Sequence, residues 1–392
     1  MREVLFVAGE PSGDLHGAGV AAELRRREPG IVMRGIGGAR MEEAGVTLLE
    51  HTDRLAVMGF LEVLAHVPMH WRLLRELTRR IESGAVGLVI VLDYPGFNMK
   101  VAAAAHRAGV PVLYYITPQV WAWGSKRLSE LARTVTRAAV ILPFEEKLLT
   151  DAGIRATFVG HPLLDRAGAL PSRAEARAQL GLSADGKVLA VFPGSRRSEV
   201  AKHLERFVAT ARLLEARVPG LRVVVSVAPG ITLDAAACPY QQVHASSFTV
   251  WRAADAALSK SGTSTLEAAV AGCPLIVAYR TNPVTYLIAR RVVTIPDIGL
   301  VNVVAGRRVA PEFVQDDVVP ERMAEALAPL LDHEDPRRRA CRDRWLAMIG
   351  AVAHGSAVSS AIVAVRAAAP GVPSFARTWA SPASIAARRG SS

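Results

Sequence analysis

Apolar runs of strand length recur through the first part of the chain and are separated by segments of helical length. They lie at residues 4–7, 31–33, 88–92, 112–116, 138–142 and 157–159. Because these runs are continuously apolar rather than alternating with polar positions, both faces of each strand are expected to be covered. The pattern predicts a βαβ series, in which a doubly wound parallel sheet carries helices on each side.

The pattern restarts after a polar link rich in Ala and Arg at residues 165–186. The apolar runs of this second set lie at residues 188–192, 222–227, 241–244, 256–258 and 274–279. A chain of 392 residues has room for two domains of roughly 150–200 residues each. We predict α/β domains at residues 1–165 and 166–345, a C-terminal helix at 346–368 that packs back or is exchanged with a partner chain, and a disordered tail at 369–392.

Two doubly wound domains that face one another would enclose a central cleft, with ligands beyond the carboxyl ends of the strands. The first strand runs into a loop and helix that contain Gly9, Gly13 and Gly17. Such a loop lets backbone amides approach an anionic or hydroxyl-rich ligand. Neither these glycines nor those at residues 35–38 have the G-x-G-x-x-G spacing, so the loop indicates the architecture but not a dinucleotide.

The composition is that of a globular protein with an excess of positive charge. Hydrophobic residues make up 51% of the chain and charged residues 21%, which excludes wholesale disorder, and the formal net charge is +11. This charge favours anionic partners such as a nucleotide, a phosphorylated lipid or an anionic membrane surface. There is no zinc-finger spacing and no alternation of aromatic and basic residues, so no nucleic-acid partner is expected.

Cysteine and histidine spacing gives no sign of a metal or a disulfide framework. Cys238, Cys273 and Cys341 lie far apart without a C-x-x-C pair, which fits a reducing cytoplasm. The histidines are scattered and no D-x-D pair occurs, so neither a metal nor another cofactor is expected. The N-terminus does not resemble a signal peptide, and no run reaches the ~18 apolar residues of a membrane span. A soluble or peripheral protein is expected.

Asp93 stands directly after the apolar run 88–92, where a Pro-Gly turn at residues 95–96 ends the strand. A lone carboxyl among apolar strands can have a raised pKa and serve as the general base for a substrate hydroxyl. Alternatively, Asp93 caps the following helix or forms a hydrogen bond within the turn. The residues alone leave both interpretations open.

The first strand of the second domain leads into a turn with the composition of a diphosphate-binding loop. It contains Gly194, Ser195 and Arg196. Amides at a helix start beside a guanidinium would stabilise phosphate charge without a metal. The alternative is that Ser195 only caps the helix and the arginine is solvated.

A second loop of small residues precedes another helical segment and contains Ser261, Gly262 and Thr263. Glu267, one turn into that helix, can accept hydrogen bonds from ribose hydroxyls, as the acidic residue of a dinucleotide site does. Glu267 can equally form a capping box with Ser264, and the spacing does not decide between the two.

Residues 55–71 form an almost wholly apolar segment, and four arginines follow it. An apolar body beside a basic stripe suits contact with a membrane surface. A buried helix between strands explains the same pattern equally well. The candidate lipid-contacting side chains are Val57, Met58, Phe60, Leu61 and Leu64.

Taken together, these motifs resemble the lipid-A-disaccharide synthase family over about residues 4–310. The matching motifs lie at residues 9–14, 35–41, 56–59, 93–98, 118–123, 142–145, 160–162, 193–196, 261–267 and 302–307. The resemblance implies a GT-B glycosyltransferase with two Rossmann-like domains. It would transfer a diacylated glucosamine from UDP to diacylglucosamine 1-phosphate and give the β-1,6-linked lipid A disaccharide 1-phosphate plus UDP.

The resemblance also implies roles for single residues. Asp93 would be the general base that deprotonates the 6-hydroxyl of the acceptor, in a reaction that inverts the anomeric carbon. Arg196 would bind the donor diphosphate, with Glu267 on the ribose or uracil side. Asn302 matches a functionally important asparagine of the family near the donor, and Arg307 belongs to the same motif.

Ser12, Gly13 and Asp14 are expected to lie near the acceptor, or to cap the first helix. The apolar segment becomes a lipid or membrane contact, which implies a peripheral protein on the inner face of the cytoplasmic membrane. A homodimer with exchanged C-terminal segments, as in the family, would require helices between residues 320 and 365 to reach a partner.

One departure from the family limits the assignment of the base. Some members have an Asp where this chain has Gly96, so only Asp93 can act as the base here. Two other functions remain as alternatives: a UDP-sugar 2-epimerase, which shares the two-domain design but needs no lipid acceptor, and a non-catalytic carrier of a lipid or nucleotide sugar.

Overall fold

The chain divides into two units. The computed structural model describes residues 2–55, 60–123, 126–283, 286–287, 297–352 and 356–368. Unit 1 comprises the described residues up to Pro162 together with residues 356–368, and unit 2 comprises those from Leu163 to Val352. The predicted tail at 369–392 lies outside the described residues.

Unit 1 is built on a sheet of seven parallel strands. In chain order these are β1 Glu3–Ala8, β2 Met33–Gly37, β3 Thr47–His51, β4 Val86–Leu92, β5 Val112–Tyr115, β6 Arg137–Val140 and β7 Ala156–Phe158. The spatial order is β3-β2-β1-β4-β5-β6-β7, so the direction of winding reverses between β1 and β4. Ligands of open parallel sheets bind at the carboxyl edge beside such a reversal.

Helices cover both faces of this sheet. They are α1 Pro11–Arg27, α2 Ala39–Glu43, α3 Phe60–Glu82, α4 Pro95–Arg107, α5 Val120–Trp123, α6 Lys126–Thr134 and α7 Pro143–Asp151. The C-terminal helix Ala357–Ala368 also packs on unit 1, against α1 and the sheet.

The continuous apolar run of β1 follows from this two-sided cover. Val4 and Phe6 pack into the core on the side of α1 and the C-terminal helix, whereas Leu5 and Val7 pack into the core on the side of α3 and α4. All four side chains are buried. Because neighbouring side chains of a strand point to opposite faces, every position must be apolar.

Unit 2 has a second parallel sheet, of six strands. These are β8 Val188–Phe192, β9 Arg222–Ser226, β10 Gln241–Val243, β11 Ala256–Lys260, β12 Leu275–Tyr279 and β13 Glu312–Val314. They lie in the order β10-β9-β8-β11-β12-β13, and the reversal falls between β8 and β11. Its core has the same two-sided plan: alternate residues of β8 pack towards Trp251 on one face and towards Phe207 on the other.

Helices again cover both faces. The short helix α8 Pro162–Asp165 begins at the last residue of the N-terminal part of unit 1 and continues into unit 2. The other helices among the described residues of unit 2 are α9 Arg173–Gln179, α10 Arg197–Arg217, α11 Ser247–Ala253, α12 Ser264–Ala271, α13 Leu300–Ala305, α14 Pro320–Leu327 and α15 Pro336–Val352. The helix Ala357–Ala368 of unit 1 is α16. No helix in the described ranges combines the length and the apolar character needed to cross a membrane.

The two parallel α/β sheets confirm the predicted fold class. The sequence pattern missed two strands, β3 and β13, and each lies at an edge of its sheet. Their side chains are mostly half-buried, so they lack the continuous apolar run of a central strand. The strand predicted at residues 31–33 was placed too early: β2 begins at Met33 and continues through Arg34 and two glycines, which hide it.

Candidate functional site

The turn that carries Asp93 lies at the carboxyl edge of unit 1, where the strand order reverses. Strand β4 ends at Leu92, and Asp93 and Tyr94 then both adopt the left-handed backbone region, with φ of 45° and 44°. This region is uncommon for residues other than glycine, and such strain is found preferentially at functional sites. Pro95 begins α4 immediately afterwards.

Hydrogen bonds hold the backbone of this turn from several sides. The fully buried Asn98 directs its amide nitrogen at the carbonyls of Leu92 (2.9 Å) and Asp93 (2.7 Å). The Tyr114 hydroxyl donates to the same Asp93 carbonyl at 2.7 Å, and the Asp93 amide donates to Ile116 at 3.2 Å. The main chain of Asp93 is therefore fixed, which gives its side chain a defined position.

The carboxyl of Asp93 is partly buried and forms no ion pair with a described residue. Burial raises its pKa from the usual 3.8 to about 6, the charge of Glu10 adds to this rise, and the backbone amide of Tyr94 partly offsets it. A carboxyl with this pKa is ionised near neutral pH yet accepts a proton more readily than an ordinary aspartate. The N-cap position of α4 belongs to Tyr94, not to Asp93.

The glycine-rich first loop touches this turn. The ring of Tyr94 lies against Gly9 so closely that a Cβ there would be 2.2 Å from Cδ1 of Tyr94, which leaves no room for a side chain. The Tyr94 hydroxyl is 2.9 Å from Nε2 of His70 on α3. Ser12 is exposed and Gly13 buried in the first turn of α1. The loop thus supports the Asp93 turn directly.

Asp14 is buried and faces the neighbouring loop. Its carboxylate accepts hydrogen bonds from the amides of Gly38 at 2.6 Å, Met41 at 3.0 Å and Arg40 at 3.3 Å. It therefore caps the start of α2 and not that of α1, which was one of the two roles that the sequence interpretation allowed for Asp14, beside a position near the acceptor. This contact ties the loops after β1 and β2 together.

Glu145 and Trp121, at the same edge of the sheet, were given no role by the sequence interpretation. The buried carboxyl of Glu145 accepts a hydrogen bond from Nε1 of Trp121 at 3.0 Å and another from the amide of Leu142 at 3.2 Å. Burial raises the pKa of Glu145 to about 7, against the lowering effect of these hydrogen bonds. The available signal was position, because Glu145 closely follows the apolar run 138–142, as Asp93 follows the run 88–92.

In unit 2, the predicted diphosphate loop lies between β8 and α10. Glu199 accepts hydrogen bonds there from the amides of Ser195 (2.9 Å) and Arg196 (3.3 Å) and lies 3.4 Å from the Ser195 hydroxyl. A Cβ at Gly194 would be 2.5 Å from Cβ of Glu199, and its φ is 147°, so a glycine is required. The side chain of Arg196 is exposed.

A buried histidine holds the base of this loop. Nδ1 of His203 is 3.1 Å from the Pro193 carbonyl, and Nε2 accepts a hydrogen bond from the Arg280 amide at 2.8 Å. This pairing assigns the proton to Nδ1 and a neutral ring, and burial lowers the pKa of His203 accordingly. Like Glu199, His203 was missed by the sequence interpretation.

The second predicted donor loop follows β11, which is the neighbour of β8 in the sheet. Ser261 donates its hydroxyl to the carbonyl of Ile298 at 2.6 Å, and Thr263 is exposed at the N-cap of α12. Glu267 is half-buried, and its carboxylate has no hydrogen-bond or ion-pair partner within the described ranges. The sheet therefore brings the 194–196 and 261–263 loops to one edge of unit 2.

Asn302 is fully buried and acts within the protein. Its amide nitrogen donates to Ala310 at 2.8 Å and to Glu312 at 2.7 Å, and its oxygen accepts from the amides of Val309 and Ala310, both at 2.8 Å. With these groups engaged, Asn302 fixes the segment around α13 instead of presenting its amide to a ligand. Arg307, on the following turn, is exposed.

The predicted lipid-contacting side chains all lie outside the part of the chain that the structure describes. Val57 and Met58 lie outside the described residues, as do the side chains of Phe60, Leu61 and Leu64, whose backbone belongs to α3. The described ranges contain no group of three His, Cys, Asp or Glu side chains arranged to hold a metal ion.

Solved structures with a similar fold include both glycosyltransferases and epimerases. The calicheamicin glycosyltransferase CalG4 gives a TM-score of 0.60 with 18% identity, over 95% of this chain and 99% of that one. The UDP-GlcNAc 2-epimerase from Neisseria meningitidis, bound to UDP-GlcNAc, also gives 0.60, with 14% identity over 93% and 99%. At these identities the likeness establishes the GT-B fold alone.

Relatives found by sequence are lipid-A-disaccharide synthases, which distinguishes glycosyl transfer from epimerisation. The lipid-A-disaccharide synthase of Geobacter metallireducens is 41% identical over 84% of this chain and 88% of its own length. That of Geobacter sulfurreducens is 41% identical over 89% and 92%. The family model described as lipid-A-disaccharide synthetase matches residues 4–355. With this match over nearly all of both units, the chain belongs to the lipid-A-disaccharide synthase family.

Proposed function

We propose that this chain joins two diacylated glucosamines. It transfers diacylglucosamine from a UDP-linked donor to the 6-hydroxyl of diacylglucosamine 1-phosphate, and it releases UDP and the β-1,6-linked disaccharide 1-phosphate. Membership of the family supports this reaction. The observation that carries the mechanism is the Asp93 carboxyl, fixed at the reversal point of the sheet with a pKa raised to about 6.

Asp93 acts as the general base in this mechanism. As the 6-hydroxyl oxygen attacks the anomeric carbon of the donor, the carboxylate takes up the hydroxyl proton. The bond from that carbon to the diphosphate breaks, and UDP leaves with the electron pair. Attack on the face opposite to the diphosphate inverts the anomer through an oxocarbenium-like transition state.

The donor groups are assigned to unit 2. Arg196 binds the diphosphate with its exposed guanidinium, beside Gly194 and Ser195. The backbone amides of Ser261, Gly262 and Thr263 and the Thr263 hydroxyl, just before α12, add donors for phosphate oxygens, while the Ser261 hydroxyl holds the loop through the Ile298 carbonyl.

Three further residues complete the proposed donor site. The carboxylate of Glu267, which has no partner among the described residues, accepts hydrogen bonds from the ribose, and Arg307 supplies a second exposed cation. Asn302 contributes as a positioning residue, since its amide holds the chain on both sides of α13.

The acceptor groups are assigned to unit 1. Ser12 and Gly13 lie in the first turn of α1, close in the chain to Gly9, which packs on Tyr94 of the Asp93 turn. The exposed Ser12 hydroxyl and the start of α1 suit the sugar 1-phosphate. Asp14 contributes by holding the loop after β2 in place.

Membrane contact is assigned to α3 and the segment before it. The described half of α3 carries Trp71, 52% exposed, next to the exposed Arg72 and Arg75. Nζ of the exposed Lys100 lies 5.1 Å from the centre of the Trp71 ring. An amphipathic indole among cations is suited to an anionic lipid surface. The proposed location is therefore the inner face of the cytoplasmic membrane.

The membrane assignment is tested by changing Met58, Phe60 and Leu61 to Ser. Association with anionic liposomes should weaken while UDP affinity remains unchanged. If the variant cosediments with liposomes as well as the wild type does, the segment belongs to the protein core and the membrane assignment is wrong.

The reaction itself is tested by measuring UDP release from UDP-diacylglucosamine with and without diacylglucosamine 1-phosphate. We expect release only with the acceptor, together with a product whose mass equals that of the disaccharide 1-phosphate. Turnover without acceptor would reject the synthase assignment and favour epimerase chemistry. Tight binding of both substrates without turnover would favour a carrier.

A further inference from the structure

An ion pair joins the two predicted donor loops of unit 2, and neither of its members is part of the assignment above. Strand β11 lies beside β8 with Ser259 in register with Phe192, so Lys260 ends its strand next to the loop that follows β8. Nζ of Lys260 is 3.1 Å from Oε1 of Glu199. Their side chains are only 17% and 16% exposed, respectively.

The position of the Glu199 carboxylate creates an electrostatic problem for this site. Its other oxygen accepts hydrogen bonds from the amides of Ser195 and of Arg196, the N-cap residue of α10, so that Glu199 closes a capping box at the start of this helix. Glu199 thereby holds the loop in shape, but it also places a negative charge beside the loop that is proposed to bind the diphosphate. Burial opposes ionisation of Glu199, yet Lys260 and the loop amides hold its pKa below the usual value, so the charge is present at neutral pH.

We propose that Lys260 is a positioning residue of the donor site, which neutralises Glu199 so that the 194–196 loop can accept the diphosphate of the UDP-sugar. Lys260 acts through Glu199, and Arg196 remains the cation that contacts the phosphates. The inference rests on the proposed function, because it takes this loop to be the diphosphate-binding loop. It explains why a cation ends β11 within the protein: without it, two anions of the same site would repel each other at low local dielectric.

The test begins with Lys260→Met and Lys260→Arg, with UDP affinity measured by titration calorimetry on the full chain. Lys260→Met should weaken UDP binding about 10- to 100-fold, the range for losing one charged hydrogen bond. Lys260→Arg keeps the charge and should stay within about threefold of the wild type. Unchanged affinity in Lys260→Met would overturn the proposal.

A double-mutant cycle with Glu199→Gln isolates the mechanism. The carboxamide still accepts a loop amide but carries no charge, so adding Lys260→Met to Glu199→Gln should weaken UDP binding by less than about threefold. An equal loss in both backgrounds would mean that Lys260 contacts the diphosphate itself, and the neutralising role would be rejected. If Lys260→Met alone destabilises the loop, the double variant still tests the proposal, because it contains no unpaired charge at this position.

Uridine provides the matched ligand control, since it lacks the phosphates. Its affinity, measured by competition with UDP, should be the same in the wild type and Lys260→Met. A parallel loss for uridine and UDP would indicate a general distortion of the site and overturn the proposal. Wild-type protein that fails to bind UDP would instead count against the proposed function, so the two failures are distinguishable.

Discussion

Asp93 and Asp255 show two uses of an aspartate at the end of a parallel strand. Asp255 directly precedes β11 at the amino edge of its sheet and is fully buried. Its carboxylate accepts hydrogen bonds from Arg177 and the Val188 amide, both at 2.8 Å, and lies 3.0 Å from Nε2 of His333. Asp93 directly follows β4 at the carboxyl edge and has no cation partner within the described ranges.

The difference lies in what surrounds each charge. Arg177 is 1% exposed and also donates to backbone carbonyls at Ala253 and Ala184, so it locks the connection between α9 and β8 around Asp255. A buried pair of this kind is strongly destabilising to break. Among the described residues the carboxyl of Asp93 has no cation partner, and its ionisation is opposed by burial and by Glu10. The aspartate at the amino edge therefore serves stability, whereas the aspartate at the carboxyl edge keeps the carboxyl that the proposed mechanism uses for proton transfer.

The largest expected effect comes from removing the available carboxyl. Asp93→Asn should reduce turnover by about 10²–10⁴-fold, the range for loss of a general base, without lowering stability. Steady-state UDP release with both substrates measures the first effect and urea unfolding the second. Asp53→Asn, at an exposed carboxyl of the same unit, is the matched control and should keep wild-type turnover. Wild-type rates in Asp93→Asn would end its assignment as the base.

Removing the charge of Asp255 should instead lower stability. Asp255→Asn leaves the buried Arg177 without its counter-charge and should lower the free energy of unfolding by about 3–5 kcal/mol. Asp317→Asn removes an ion pair with Arg322 in which both side chains are more than half exposed, and it should cost less than about 1 kcal/mol. Urea unfolding at neutral pH compares the two. Equal small losses would show that Asp255 is not a structural anchor.

The comparison extends to cations. Arg196 is exposed at the carboxyl edge, whereas Arg177 is buried near the amino edge. Arg196→Ala should weaken UDP binding by about 1.5–3 kcal/mol and leave unfolding unchanged. Arg212→Ala, at an exposed arginine farther along α10, carries the same change of net charge and should bind UDP as the wild type does. Identical UDP affinity in all three proteins would move the diphosphate site elsewhere.

The central strands of both sheets could be predicted from the sequence, because strands that are buried on two faces must be continuously apolar. The sequence did not reveal β3 and β13, since edge strands have no such requirement. The failure to predict β13 affected the interpretation of the site. Glu312, the first residue of β13, accepts a hydrogen bond from the amide nitrogen of the buried Asn302. A polar residue in a motif therefore looked like a ligand contact until its partners were placed.

The same limit applies to Asp14 and Glu199. Asp14 belongs to a motif that the sequence connects with the acceptor, Glu199 lies three residues beyond the predicted diphosphate loop, and both bind backbone amides of the protein itself. The partners of Asp14 are 24 to 27 residues away, so local spacing could not reveal them. Asp93 became a candidate because it directly follows a buried strand, but the residues alone also allowed a capping role, and only the family resemblance implied that it is the base. Tertiary contact, and not residue type, separates the catalytic candidate from the structural carboxylates.

The smallest expected effect concerns the pH dependence of Asp93. Because the folded protein raises its pKa from 3.8 to about 6, the folded state binds this proton more tightly than the unfolded chain. The resulting stability is present below pH 3.8 and is lost as the pH rises through about 6.

The gain in stability of Asp93→Asn over the wild type should therefore increase by about 1–2 kcal/mol between pH 4 and pH 8, after allowance for partial solvent screening. Urea unfolding of both proteins across this range measures the difference.

Over the same range, kcat/KM of the wild type should rise with an apparent pKa near 6, because the base becomes ionised. Activity and the stability contribution of Asp93 thus change in opposite directions. If the stability difference is constant while activity titrates near pH 6, another group is responsible for the proton transfer, and the contrast between Asp93 and Asp255 no longer rests on availability for chemistry.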